Sequence, residues 1–246
     1  MKNPFQRNKR RFYALENRII FMEAALETYF DSPTYIDSDA VGFNGQKIRK
    51  AIFNELCDTF SFQSIIETGT YTGNTSGYMA TQTGLPLSTC ESNRVLVALA
   101  KNRLSGIPGV KCYAMDSRDF LNTLTHLDVS SERVFIYLDA HCHDDLPLKQ
   151  EIEIICKTWK EFAIMIDDFQ VPGDKGYGYD SYAGNQALSI NNFLPVFLQN
   201  GLAPFFPALP SSKETGAKRG SVILTRNGNF ADQVVNKCGS LKKYES

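Results

Sequence analysis

The sequence predicts an α/β protein: a doubly wound, mostly parallel sheet of seven strands, with an antiparallel hairpin at its C-terminal end and a helical cap at its N-terminal end. Three observations carry this reading. From residue 61 to about residue 170, short apolar runs alternate with helix-patterned stretches, the signature of βαβ units. Two later apolar runs, 203–208 and 221–225, are joined by a polar stretch with no helix between them, so they pair antiparallel. Before residue 60, apolar residues recur at intervals of three and four.

The elements follow in order. Phe12, Leu15, Ile19, Met22, Leu26 and Phe30 share one helix face that ends before Ser32-Pro33. A second helix is expected over 45–60, with Ile48, Ile52, Phe53 and Leu56 inward. Strands are expected at 64–67, 86–91, 110–114, 133–139 and 163–167, with helices over 74–83, 93–104, 117–124 and 148–159 between them. A last helix, 187–199, leads into the hairpin. The chain thus divides into a helical cap, 1–60, and a main catalytic domain, 61–246.

Composition narrows the function. With 246 residues, 43% of them hydrophobic, the chain can bury one sizeable core. Twenty-six basic against 27 acidic residues leave a net charge of −1, so no global field draws it to nucleic acid or an anionic membrane. A small-molecule partner selected by a pocket follows. Cys57, Cys90, Cys112, Cys142, Cys156 and Cys238 form no CxxC or secreted-type framework, which points to reduced thiols and a cytoplasmic protein. The apolar run 19–26 is interrupted by Glu23 and too short to span a bilayer. The basic cluster at Lys2, Arg7, Lys9, Arg10 and Arg11 reads as a solvated terminus. Phe5, Phe12, Tyr13 and Phe21 are available to a homo-oligomer contact or to core packing.

The sharpest local signal is the run from Ile65 to Ser76, an apolar strand that enters a glycine loop and then a helix. Gly69 and Gly73 let the backbone pass close to a ligand. Thr70, Tyr71 and Thr75 lie on the same turn, and the capping types Asn74, Thr75 and Ser76 leave backbone N–H groups facing the crevice. The spacing separates two nucleotide readings: a dinucleotide site wants GxGxxG, whereas this loop has GxxxG preceded by Glu67, an acid suited to a sulfonium or an ammonium. The next strand ends in Glu91-Ser92, about two dozen residues on, where an acid can accept ribose hydroxyls. The third ends in Asp116-Ser117.

Strand four ends in Asp139-Ala140-His141-Cys142-His143, and strand five in Asp167-Asp168. Neighbouring parallel strands lie about 4.8 Å apart, so these acids converge. Three such carboxylates repel unless a proton or a cation neutralises them. Oxygen ligands favour a hard ion, Mg²⁺ first, then Ca²⁺ or Mn²⁺. His141 is suited to take a proton at neutral pH, with Asp168 and then His143 as alternatives. The glycine- and tyrosine-rich stretch 171–184 has the length of a lid, with Tyr177, Tyr179 and Tyr182 able to stack on an acceptor. The loop 210–219 brings Lys213, Lys218 and Arg219 within reach of an anionic one.

The Glu67–Gly73 loop resembles motif I, ExGxxxG, of class I S-adenosylmethionine-dependent methyltransferases. FNGQ at 43–46, LDAH at 138–141, IDDFQVP at 166–172 and ETGAKRG at 214–220 together resemble a bacterial group of that class, over about residues 43–226. The resemblance implies S-adenosylmethionine bound by Glu67, Gly69, Thr70, Tyr71, Gly73, Thr75, Glu91, Ser92, Asp116, Ser117 and Asp139, with the acid after strand three meeting the adenine amino group. It further implies a divalent ion on Asp139, Asp167 and Asp168, as in metal-dependent O-methyltransferases of macrolide sugars. In that branch the base is an acid two residues beyond the first ligand; here the position is His141. The alternatives are a Rossmann-type oxidoreductase or hydroxylase and a non-catalytic nucleotide-binding module.

Overall fold

The computed structural model describes residues 42–125, 133–141, 146–182 and 186–245. The expected helix over 12–30, the aromatic residues offered for oligomer contact, and His143 lie outside them. After a turn at Gly42–Gly45 come α1 (Lys47–Thr59), β1 (Ser64–Thr68), α2 (Asn74–Thr83), β2 (Leu87–Glu91), α3 (Arg94–Leu104), β3 (Val110–Ala114), α4 (Ser117–Thr125) and β4 (Arg133–Leu138). There follow α5 (Leu148–Thr158), β5 (Glu161–Ile166), a small hairpin of β6 (Ser181–Tyr182) and β7 (Gln186–Ala187), α6 (Ile190–Gln199), β8 (Leu202–Pro207), β9 (Val222–Arg226), α7 (Asn229–Lys237) and β10 (Leu241–Lys243).

The main sheet runs β10-β8-β9-β5-β4-β1-β2-β3, so it has eight strands where the sequence predicts seven. The five expected parallel strands are adjacent, and β9 lies antiparallel between β5 and β8, as the late hairpin requires. The eighth strand is β10, three residues of which only Leu241 faces inward. That is too short to show a period, as is the two-residue inward set, Ala231 and Val234, of the unexpected α7.

Alternation along β4 shows why the sheet is wound on both sides. Val134, Ile136 and Leu138 pack with Leu121 of α4, Ile152 of α5 and Phe197 of α6. Phe135 and Tyr137 pack on the other face with Phe53 of α1, Met79 of α2 and Val234 of α7. A period of two on a strand covered by helices gives two apolar layers rather than one.

Register sets the site. Tyr113, Cys90, Thr68, Leu138 and Ile166 form one row across β3-β2-β1-β4-β5. The next residue of each segment therefore reaches the same carboxyl edge: Ala114, Glu91, Gly69, Asp139 and Asp167. Among the described residues, no helix is long and apolar enough to cross a membrane, and Cys57, Cys90, Cys112, Cys156 and Cys238 are free thiols.

Phe53 is fully buried, its ring 5.0 Å from that of Phe135 and 5.5 Å from that of Phe43. Phe53→Ala is expected to cost about 3–5 kcal/mol, read as a lower urea midpoint at unchanged slope.

Candidate functional site

A cavity of about 670 Å³ opens at the carboxyl edge of the parallel strands. Its first wall is the β1–α2 loop. Gly69, Tyr71 and Gly73 all sit at positive φ, 89°, 49° and 84°. At Gly69 the requirement is absolute, because a Cβ there would lie 2.3 Å from the carbonyl oxygen of Asp139. The loop is held by Gly69 and Thr70 N–H groups donating to the Cys90 carbonyl at 2.9 and 3.0 Å, and by the Tyr71 N–H donating to Glu91 at 3.0 Å. Glu91 also accepts from the Asn93 N–H at 2.8 Å, so its carboxylate is already oriented.

Of the residues expected at the donor end, Gly69, Thr70, Tyr71, Thr75, Glu91, Ser92, Asp116, Ser117 and Asp139 line this cavity. Glu67 and Gly73 do not. Glu67 is buried behind the loop, where it accepts hydrogen bonds from Ser76 and, at 2.6 Å, from Thr89. Burial pushes its carboxyl up to about 7 against the pull of those two hydroxyls. It fastens the loop to α2 and β2 instead of facing a sulfonium. Gly73 is the left-handed residue before α2, packed on Leu104. Asp116 lines the cavity with its carboxylate gripped at both oxygens by Arg118, which holds its pKa below the usual range. Sequence reasoning missed Asn44, Asn93 and Leu96 on the same walls; Asn44 is in the FNGQ run, at φ 54°.

At the opposite end, one ligand atom each of Asp139, His141 and Asp168 lies within 4.8 Å of the others. His141 Nε2 is 3.9 Å from Asp139 Oδ1. The His141 side chain is buried, and among the described residues neither ring nitrogen has a hydrogen-bond partner. Its burial lowers the imidazole pKa, so the ring is neutral. Desolvation, then the charges of Asp167 and Asp168, push Asp139 well above the carboxylate range. Asp168, at φ 53°, is raised to about 6 by burial and by Asp167. Arg219 Nε donates to Asp168 Oδ1 at 2.5 Å, and the same guanidinium pairs with Asp180.

Asp167 does not join this cluster. It is paired with Arg49, both side chains 1% exposed, and accepts further hydrogen bonds from Tyr137 Oη at 2.5 Å and the Asp168 N–H at 2.6 Å. Burial would raise its pKa, but Arg49 and these donors outweigh it and hold the carboxyl low. The physical reason lies in the turn that follows β5: Asp167 is held inward by Arg49 and Tyr137, and the left-handed backbone at Asp168 sends the next side chain toward Asp139 and His141 instead. Arg49 itself was legible as an anomaly, since it stands at i−3 and i−4 to Ile52 and Phe53, on the stripe that α1 buries.

The two outlying motifs meet here. Arg49 also donates to the carbonyls of Arg219 and Gly220, at 2.6 and 3.0 Å. Gln46 exchanges two hydrogen bonds with the Arg219 backbone, and Glu214 accepts from the Ile48 N–H at the start of α1, at 2.9 Å. FNGQ and ETGAKRG are therefore one joint. Arg219 faces the acceptor end, whereas Lys213 and Lys218 are exposed away from any ion pair among the described residues. In the expected lid, Tyr177 is core, 3% exposed, and not a stacking surface; Tyr182 Oη donates to the His141 carbonyl at 3.2 Å; Tyr179 is exposed.

No family model matches the chain, and no curated protein matches it in sequence. Solved structures do. An O-methyltransferase from Bacillus cereus, in complex with S-adenosylhomocysteine, superposes with a TM-score of 0.53 at 16% identity, over 73% of this chain and 81% of that one. This chain has the class I methyltransferase fold. TomG from Streptomyces achromogenes, an O-methyltransferase of tomaymycin synthesis solved with S-adenosylmethionine, gives 0.54 at 17% identity, over 82% and 86%. CalS10 from Micromonospora echinaspora, an amino pentose methyltransferase, gives 0.50 at 14%, over 74% and 90%.

Arg49→Met strands a buried carboxylate and is expected to cost about 3–5 kcal/mol at pH 7, measured by urea denaturation. Asp167 has a depressed folded pKa, so its contribution is present above an unfolded value of about 3.9 and is lost as pH falls through the folded one. The variant's deficit should therefore shrink below about pH 4, and Arg49→Met/Asp167→Leu should recover part of it at pH 7.

Proposed function

We propose that the protein is an S-adenosylmethionine-dependent O-methyltransferase acting on a hydroxyl of a sugar or glycosylated small molecule, assisted by a divalent cation. The observation that carries this is the cavity itself: a nucleoside-sized space with the glycine loop and the oriented Glu91 along one part of its wall and Asp139 and His141 along another, Asp168 standing beside these two.

The reading assigns roles along that axis. The free N–H groups at the start of α2 suit the carboxylate of the donor's amino-acid part. Glu91, fixed by Tyr71 and Asn93, accepts the ribose hydroxyls. Leu96, Met115 and Ser117 bound the adenine space. Bound there, S-adenosylmethionine supplies an electrophilic methyl group next to a neutral leaving thioether. Asp139 and Asp168 would hold the cation, which supplies charge to stabilise the developing oxyanion of the acceptor. The residues fit such an ion, because a buried imidazole with two unpartnered nitrogens stands beside two carboxylates. His141 lines the space where the hydroxyl proton would leave, Asp168 stands beside it, and Arg219 pairs with Asp168. The likeness to TomG, described as an O-methyltransferase, supports the oxygen acceptor, and the likeness to CalS10, described as an amino pentose methyltransferase, supports a sugar, each by fold analogy alone.

A Rossmann-type oxidoreductase or a hydroxylase would need a nicotinamide or redox group, and a binding module would retain nucleoside without turnover. Calorimetric titration separates them: S-adenosylhomocysteine should bind and NAD should not. Glu91→Gln should weaken S-adenosylhomocysteine about 10- to 100-fold, the worth of a hydrogen bond to a charged group. Gly69→Ala should abolish binding by driving a side chain into the Asp139 carbonyl. Methyl transfer from labelled donor to a sugar panel should fall on chelation and return with added cation; transfer indifferent to chelator would refute the metal's part.

A further inference from the structure

We propose that His141 is itself a metal ligand, so that the site is a one-histidine, two-aspartate centre built from Asp139, His141 and Asp168, and that it selects a transition-metal dication such as Mn²⁺ over Mg²⁺. This rests on the metal-assisted reading above and names the ion class and ligand set that reading leaves open.

Three observations carry it. His141 is buried with both ring nitrogens unpartnered among the described residues. A buried polar atom without a partner is costly, so the site retains a donor set that the surrounding protein leaves unsatisfied. The imidazole is also aimed at the carboxylates: Nε2 lies 3.9 Å from Asp139 Oδ1, and all three ligand atoms fall within 4.8 Å of one another. Ligands on one small dication at about 2.1 Å stand about 3 to 4.2 Å apart, a closure that carboxylate rotation can supply. Finally, Asp167 is unavailable, because Arg49, Tyr137 and the Asp168 N–H already occupy its two oxygens.

The ligand chemistry then decides the ion. Mg²⁺ prefers all-oxygen sets and keeps much of its water, whereas an imidazole among carboxylates shifts preference toward Mn²⁺, Fe²⁺, Co²⁺ or Zn²⁺. Asp168 Oδ1 is engaged by Arg219, leaving Oδ2 for the ion. His141 is in this scheme a ligand and not the base.

The test uses the full chain, stripped with chelator and titrated with Mn²⁺ or Mg²⁺. Mn²⁺ should bind at least about ten-fold more tightly than Mg²⁺, and pulsed paramagnetic resonance of bound Mn²⁺ should show coupling to a nitrogen. That coupling should vanish in His141→Asn, with at least about ten-fold weaker Mn²⁺ binding, and persist in His143→Asn. His141→Asp, an all-oxygen set, should restore binding without nitrogen coupling and move the preference toward Mg²⁺. Circular dichroism and the melting temperature verify that each variant is folded. Absence of nitrogen coupling, its survival in His141→Asn, or equal affinity for Mg²⁺ and Mn²⁺ overturns the proposal. If neither ion binds while S-adenosylhomocysteine still does, this inference and the metal's part in the function both fall, and the methyl-donor half stands.

Discussion

The buried pair of Arg49 and Asp167 is the constraint on which the site depends. Two charges taken from water lose several kcal/mol of hydration each, and only dense local partnering makes that tolerable. Here Asp167 collects Arg49, Tyr137 and a backbone N–H, while Arg49 also reaches the carbonyls of Arg219 and Gly220. One interaction thus joins α1, β4, the tip of β5 and the segment before β9. With Asp167 committed to the interior, the chain turns through a left-handed residue at Asp168, and that side chain is delivered to Asp139 and His141.

The electrostatics around this knot are deliberately unbalanced. Four carboxylates, those of Asp139, Asp167, Asp168 and Asp180, face two guanidinium groups, those of Arg49 and Arg219. Arg49 serves Asp167, and Arg219 is shared between Asp168 and Asp180. Asp139 has no cationic partner of its own among the described residues, and burial first, then the neighbouring negative charges, raise the proton affinity of Asp139 and Asp168. A group held in that condition gains from any cation that replaces the proton. The neutral His141 beside it adds a donor atom without adding charge.

Much of this was legible in the sequence, for reasons that particular residues make plain. The five parallel strands and their helices announced themselves because both layers they build are continuous and apolar, as at Val134 to Leu138. The glycine loop was readable because Gly69 answers a steric demand that admits no side chain. Glu67 misled because its position beside the loop is real while its direction is not: a strand-end acid can face the ligand or the interior, and Ser76 and Thr89 decide that from elsewhere in the chain. Asp167 misled for the same reason in reverse, its partner lying 118 residues away in sequence. β10 and α7 escaped notice because they place one and two side chains inward, below what any period can register.

The contact of Gly69 with the Asp139 carbonyl has a consequence for how such a protein could change its chemistry. The two ends of the cavity abut through bare backbone, with the Asp139 N–H bonded to the Thr68 carbonyl at 2.9 Å as well. The separation between them is therefore a ruler one strand wide, and no side-chain exchange can lengthen it. A different acceptor would have to be met by changes elsewhere on the cavity wall, while the gap across which a group would pass stays as the sheet cut it.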